Sequence, residues 1–334
     1  MKKFIVFLLL IGVALSFLYV RQELFKERYV SLHFEVKRGE TLKEVVDRLS
    51  KEGVTDEPTL LYYFGRYKGI EVKSGCYDIK GKLSPVEVLK ELTEGRPCLK
   101  SFTIVPGSNI FEVDKLLSQK GFCKEGEVLK LSKDKSFLKG LKVPSLEGFI
   151  YPDTYFVNRE SSCREVLKVA VSRFHSVVDP LFKNYTPPDR VKKALKDVDL
   201  IKIVTVASIV EKETSLKEER PLIAAVIYNR LKRGMKVQCD PTVIYALKLK
   251  GVEKERLLYK DLTVNSPYNT YLYSGLPPGP ICNPSLSSIE AALYPADVNY
   301  LYFVANGRGG HTFSRSYNQH LKEVRKYRKW LNGS

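Results

Sequence analysis

The chain has 334 residues, 44% of them hydrophobic and 28% charged, with a formal net charge of +17 at pH 7. That length suffices for two or three domains with their own cores, and the composition excludes a disordered or fibrous chain. The charge suits nucleic acid, anionic lipid or an acidic polymer, but the 55 Lys and Arg residues are scattered without an aromatic-interleaved tract, which argues against a nucleic-acid partner.

At the N-terminus Lys2 and Lys3 precede the uncharged run from Phe4 to Val20, and Arg21 follows. The run is short for a membrane span and long for a signal-peptide core, and no convincing small-residue cleavage site follows it. Residues 1–21 are therefore expected to be a cytoplasmic tail and transmembrane signal anchor, with the rest of the chain exported. Export places Cys76, Cys98, Cys123, Cys163, Cys239 and Cys282 where disulfides persist. Six cysteines allow fifteen complete pairings, among which the sequence does not choose; a bridge between Cys239 and Cys282, which flank candidate cleft loops, is one prediction, and six buried free thiols are the alternative. Zinc-ligand spacing is absent, the four His residues are scattered, and no metal or cofactor is called for.

Residues 30–144 contain a duplicated unit. Phe34 to Gly53 aligns without gaps on Phe102 to Gly121, with Glu44/Glu112, Val45/Val113, Leu49/Leu117 and Ser50/Ser118 identical. Each copy reads as strand, turn and helix. Thr41 with Glu44, and Asn109 with Glu112, place an N-cap and a carboxylate three residues later. A third helix is expected from Ser84-Pro85, with Glu87 in its first turn, to Gly95. Gly39-Glu40-Thr41-Leu42 makes the first copy similar to LysM modules, small strand-helix-helix-strand folds that often bind N-acetylglucosamine polymers; a plain spacer is the alternative. Tyr62, Tyr63, Phe64 and Tyr67 are expected mainly as core.

Farther along, Asn184 to Asp189 is a turn-rich break. The apolar run from Leu200 to Val210 then leads into Glu211-Lys212-Glu213-Thr214. Periodicity leaves its type open, while about fourteen residues without Gly or Pro favour a helix. On a helix Glu211 and Glu213 lie roughly 200° apart, so one cleft can receive only one of them. Taken alone, both would be solvated charges at a helix end.

The neighbourhood changes that balance. Asn229-Arg230-Leu231, Gln238-Cys239-Asp240-Pro241, Tyr268-Asn269-Thr270-Tyr271, Gly275 to Pro280 and Gly309-Gly310-His311-Thr312-Phe313 follow in order. Together with Glu147 to Tyr155 upstream, they resemble the endolytic murein transglycosylase (YceG-like) family over most of the chain. The resemblance implies a catalytic domain at 145–334, cleavage of the MurNAc-β-1,4-GlcNAc bond without water, a 1,6-anhydroMurNAc product end and termination of nascent strands. Glu213 is the implied acid and base, with Glu211 as fallback. Thr214, Glu211, Asn229, Gln238, Asp240, Asn269, Tyr271 and His311 are the implied substrate-binding residues. A single carboxyl in both roles needs a raised pKa, for which an apolar pocket and a helix C-terminus are expected to serve. The Gly275 to Pro280 stretch is expected as a stiff cleft wall.

The expected fold is α+β: a membrane helix, LysM-like strand-helix units, then a mostly helical, lysozyme-like domain with a small strand-rich insertion around 235–285. The expected partners are glycan strands, the inner (plasma) membrane through the N-terminal helix, and peptidoglycan synthases in the periplasm. A non-catalytic, membrane-anchored murein-binding scaffold is the other class of function. A conventional muramidase is the other enzyme, and it would need a second carboxylate, for which Asp240 is the nearest candidate.

Overall fold

The structure, a computed structural model, describes residues 2–94 and 99–333. Gly95, the expected end of the third helix, and Cys98 lie outside the described residues. The chain forms two compact units, residues 1–101 with 156–161 and residues 102–155 with 162–334.

In the smaller unit the order is α1 (Lys2–Phe25), β1 (Arg28–Val36), α2 (Leu42–Lys51), α3 (Pro58–Tyr67), β2 (Gly75–Leu83) and α4 (Pro85–Glu94). β1 and β2 pair antiparallel, from Arg28 opposite Leu83 to Val36 opposite Gly75. The helices cover this ladder through Val45, Val46 and Leu49 of α2, Leu61 of α3 and Leu89 of α4, packed with Phe34, Tyr77 and Ile79. α2 starts on the expected box, Thr41 accepting from the Glu44 amide and Glu44 accepting from the Thr41 amide. Ser84 and Glu87 exchange the same bonds at α4. Tyr62 and Phe64 pack against the core, whereas Tyr63 and Tyr67 are exposed. α1 is long and apolar enough to cross a membrane from Phe7 to Phe25. Most of it is exposed, and only its end packs, through Leu24 and Val20.

The larger unit is mostly helical. Its elements are β3 (Leu99–Thr103), α5 (Ile110–Gln119), α6 (Glu127–Leu131), α7 (Lys135–Leu141), β4 (Thr154–Asn158), α8 (Cys163–Lys183), α9 (Asp189–Leu195), α10 (Leu200–Glu213), α11 (Arg220–Lys232), α12 (Asp240–Lys248), α13 (Leu286–Leu293), β5 (Tyr302–Ala305), β6 (His311–Ser314) and α14 (Tyr317–Gly333). β3 pairs with β4 and β5 with β6, and the chain passes between the two units within β3 and β4. α10 is the centre of the core. Ile203 to Val210 are all buried, as expected of a helix apolar on every side, and α11, α12 and α13 pack around it. The second copy of the duplicated unit supplies α5, whose N-cap Asn109 accepts from the Phe111 and Glu112 amides. Gly107 takes the same left-handed turn as Gly39, φ +81° against +82°, so the repeat is structural as well as sequential. The compact larger unit starts at residue 102, whereas the catalytic domain was expected to start at 145.

Two expectations are corrected. Residues 235–285 hold no strand among the described residues; they form α12, a 3₁₀ turn at Tyr259–Thr263 and loops. Their aromatic-rich pattern is interrupted by Pro241, Pro267, Pro277, Pro278 and Pro280, which cannot donate to a ladder. The disulfide joins Cys123 to Cys163, while Cys239 and Cys282 are buried free thiols. The Cys282 thiol donates to the Ser208 carbonyl at 3.3 Å, and the Cys239 thiol to the Val237 carbonyl at 3.9 Å.

Candidate active site

Glu213 is the last residue of α10. Asp199 caps the other end by accepting from the Lys202 amide, and Thr214 ends the helix with an extended backbone, φ −145° and ψ 140°. Inside the helix Ser208 Oγ donates to Thr205 O at 2.8 Å and accepts from the Ile281 amide at 3.0 Å, fixing the loop that leads to α13. Glu213 borders a cleft of about 380 Å³, with Arg230 of α11, Gln238 and Asp240 at the start of α12, Tyr271, the β5–β6 hairpin and His320 of α14. Glu211 leaves the helix on the other side. There it pairs with Arg220 at 3.1 Å, both side chains buried, and accepts from the Ser285 amide at 2.9 Å. Of the two carboxylates, Glu213 therefore meets the cleft and Glu211 ties α10 to α11 and the start of α13.

Burial pushes the Glu213 carboxyl up to about 7; the negative charge of Asp240 adds to this, while the Cys239 thiol and the Arg230 charge oppose it. Burial holds the Cys239 thiol well above its ordinary range, and the Glu213 charge pushes the same way. Cys239 thus stays protonated, and its thiol donates to the Val237 carbonyl at 3.9 Å. The Arg230 guanidinium is fixed by the carbonyls of Leu301 at 2.7 Å and Val237 at 2.8 Å, and lies 5.1 Å from the centre of the Tyr302 ring.

Behind the cleft, buried threonine hydroxyls hold the loops together. Thr270 Oγ1 accepts from the Cys239 amide at 3.0 Å and lies 2.8 Å from Thr242 Oγ1. The Gln238 amide donates to Thr270 O at 3.2 Å, and Gln238 itself is held at φ +52°, a left-handed conformation uncommon for a non-glycine residue. This binds residues 237–242 to 269–271 and brings the Tyr271 hydroxyl to Asp240 Oδ1, where it donates at 2.6 Å.

His311 closes a third side. Its backbone amide donates to Glu219 Oε1 and its Nδ1 to Glu219 Oε2, both at 2.7 Å. With Nδ1 donating, Nε2 is left for a ligand. Burial would raise the Glu219 carboxyl, but the His311 and Thr214 hydrogen bonds hold it below its ordinary range. A Cβ on Gly310 would stand 2.6 Å from Glu219 Oε1, so the glycine allows this close approach.

The structure brings Glu213, Gln238, Asp240, Tyr271 and His311 to one cleft. Thr214, Glu211, Asn229 and Asn269 do not line it, because each is occupied by the fold. Thr214 Oγ1 donates to Glu219 at 3.1 Å. Asn229 donates to Val298 O and Tyr300 O at 2.9 and 2.8 Å. Asn269, fully buried, donates to Leu262 O and Val264 O. The Gly275 to Pro278 wall borders a different cavity, of about 500 Å³, with Ile201, Thr205 and Leu231. Arg230, Cys239, Glu219 and His320 were not selected from sequence. Arg230 and Cys239 stand inside motifs whose neighbours were selected, and Glu219 is separated from its His311 partner by 92 positions.

A carboxyl raised to about 7, over a cleft with a second carboxyl, a phenol, an amide, an imidazole and a guanidinium, suits proton delivery to a polyhydroxylated substrate. No group of three or more metal-ligating residues occurs among the described residues.

The sequence profile of the YceG-like family matches residues 34–326. The endolytic murein transglycosylase of Bacillus subtilis strain 168 is 31% identical over 322 residues, covering 90% of this chain and 86% of that protein. The endolytic murein transglycosylase of Streptococcus pneumoniae serotype 2 strain D39 is 29% identical over 318 residues, 86% of this chain but 56% of that protein. The chain therefore spans little more than half of the pneumococcal relative. A crystal structure of a yceG-like protein from Listeria monocytogenes superimposes with a TM-score of 0.58 at 30% identity, over 88% of this chain and 99% of that one.

Proposed function

Since the chain belongs to the YceG-like family, we propose that it is an endolytic murein transglycosylase that cuts the MurNAc-β-1,4-GlcNAc bond without water and leaves a 1,6-anhydroMurNAc end. The observation that carries this reading is Glu213, a carboxyl pushed up to about 7 by burial and facing a cleft at the end of a buried helix. In the reaction Glu213 gives its proton to the glycosidic oxygen as the C1–O bond breaks. The N-acetyl group supports the positive charge at C1. The sugar's own 6-hydroxyl then bonds to C1 and returns its proton to the Glu213 carboxylate, so one residue is first acid and then base.

The other residues divide by what they touch. Tyr271 offers a ring face to a sugar, and Gln238, Arg230 and His311 Nε2 offer polar contacts at the rim. The negative charge of Asp240 raises the Glu213 carboxyl, which favours the protonated acid, and it also favours an oxocarbenium-like centre. Thr214, Glu211, Asn229 and Asn269 act as positioning residues.

In the same proposal residues 145–334 carry the catalytic function in a lysozyme-like arrangement. The strand-helix-helix-strand order of β1, α2, α3 and β2 supports a LysM-like role for the first unit. α1 anchors the chain in the inner membrane, and the rest lies in the periplasm, where it cuts nascent strands beside the synthases that extend them. Mass spectrometry of murein digested by the full chain in detergent tests the reaction. Anhydro ends that vanish with Glu213→Gln are expected. Reducing ends would mean a hydrolase, and a folded protein that binds murein but releases nothing would mean a scaffold.

A further inference from the structure

A second cleft, of about 750 Å³, lies beside the Glu213 cleft and is lined by α5, α10, α12 and the segment after α12. Its volume is within the usual range for ligand sites, about 300–1,000 Å³. The two clefts are walled by consecutive residues at two points: Glu213 and Asp240 border the first, Lys212 and Pro241 the second. Neighbouring Cα atoms are about 3.8 Å apart, so the two clefts lie on either side of the same backbone at the end of α10 and the start of α12, a spacing that a peptide of a few residues spans.

The lining is of mixed character. Phe111 and Tyr245, with ring centres 6.5 Å apart, make an aromatic surface. Tyr245 is buried and fixed through its hydroxyl to Glu147 at 2.8 Å. Lys115 and Lys212 are exposed cations on one side, and Glu253 and Glu255 exposed carboxylates on the other. Lys212 donates to the Gly107 carbonyl at 3.4 Å. By contrast, Lys248 is paired with Glu112 at 3.0 Å and lies 4.0 Å from Glu253, which leaves Glu255 as the carboxylate facing the groove without that partner. Cations, carboxylates and an aromatic surface along one groove match a short zwitterionic peptide better than a neutral sugar, which has no charge to satisfy them.

On the transglycosylase reading, we infer that this groove holds the peptide stem carried by the muramic acid residue at the cleavage point. Lys115 and Lys212 meet stem carboxylates, Glu255 meets a stem amine, and Phe111 and Tyr245 pack on its apolar atoms. The groove makes stem-bearing strands better substrates than bare ones.

Two measurements on the full chain in detergent test this. The first is NMR titration with a free stem tetrapeptide containing a diamino acid. The second compares kcat/KM on glycan strands with their stems and on strands stripped of them. Wild type is expected to bind the peptide and to prefer stem-bearing strands about tenfold, a single charge-assisted contact's worth. Lys115→Glu is expected to remove both effects and leave cleavage of stripped strands unchanged, with Lys115→Arg restoring them. Failure of wild type to bind the peptide, or equal cleavage of the two substrates, overturns the inference. Peptide binding that is lost in Lys115→Glu, in a protein that cuts neither substrate, supports the groove and sinks the transglycosylase reading instead.

Discussion

Replacing Glu213 by Gln separates catalysis from stability. The carboxyl stands at about 7 in the folded protein against an ordinary 4.5, so the native state holds its proton more tightly than the unfolded state. Between those two pH values the native state binds more protons, and stability falls as pH rises. Above pH 7 the full penalty is present, with an upper bound of about 3 kcal/mol from the difference in pKa. Solvent access through the cleft reduces that to roughly half. The amide cannot ionise, so Glu213→Gln is expected to unfold at higher denaturant than wild type at pH 8 and at nearly the same denaturant at pH 4. Glycan cleavage is expected to fall by at least ~10²-fold, the smallest usual loss for a general acid. Urea titrations at the two pH values and anhydro-end counts on murein give both numbers. Retained cleavage in Glu213→Gln, or its loss in a folded Glu211→Gln, would refute the assignment. Equal stability of wild type and variant at pH 8 would refute the buried neutral acid.

Three other outcomes are expected. Cleavage by wild type should decline above pH 7 with the loss of one proton, since burial raises the acid to about that value; a profile flat to pH 9 would exclude Glu213 as the proton donor. Glu211→Ala strands the buried Arg220 and should cost about 3–5 kcal/mol in urea unfolding, and a loss below about 1 kcal/mol would mean that the pair is hydrated. Opening the Cys123–Cys163 bridge, whose residues are 40 positions apart, should lower stability by about 4 kcal/mol on loop-closure entropy; an unchanged urea midpoint in reductant, with both thiols alkylated, would contradict it.

What could be inferred from sequence was local. The caps at Thr41 and Asn109 were legible because the hydroxyl or amide and its Glu partner stand three residues apart. α10 was legible from its length. Which of Glu211 and Glu213 meets the cleft was not, because the choice depends on Arg220 and on Ser285, 74 positions away. Asn229 and Asn269 looked like sugar ligands because amides are good ones. In the fold they satisfy carbonyls of irregular loops, whose backbone groups have no ladder to join. Cys239 was considered only for a disulfide, and its thiol instead donates to the Val237 carbonyl. The loops around Tyr268 to Tyr273 looked strand-rich from their aromatics, but proline and side-chain hydrogen bonds set their path.

Asp240 decides between the two enzymatic chemistries. It shares the cleft with Glu213, as a hydrolase's second carboxylate must, yet its Oδ1 is engaged by the Tyr271 hydroxyl at 2.6 Å. In the transglycosylase reading its charge helps to keep Glu213 protonated. Asp240→Asn then removes a charge that raises the Glu213 carboxyl, and the alkaline decline of cleavage should move to lower pH while anhydro ends continue to form. If Asp240 were instead the base or nucleophile of a hydrolase, Asp240→Asn would abolish cleavage at every pH, and a small anion such as azide would restore it by taking the missing carboxylate's place. Measuring the pH profile of Asp240→Asn with and without azide therefore distinguishes a carboxylate that tunes its neighbour from one that attacks.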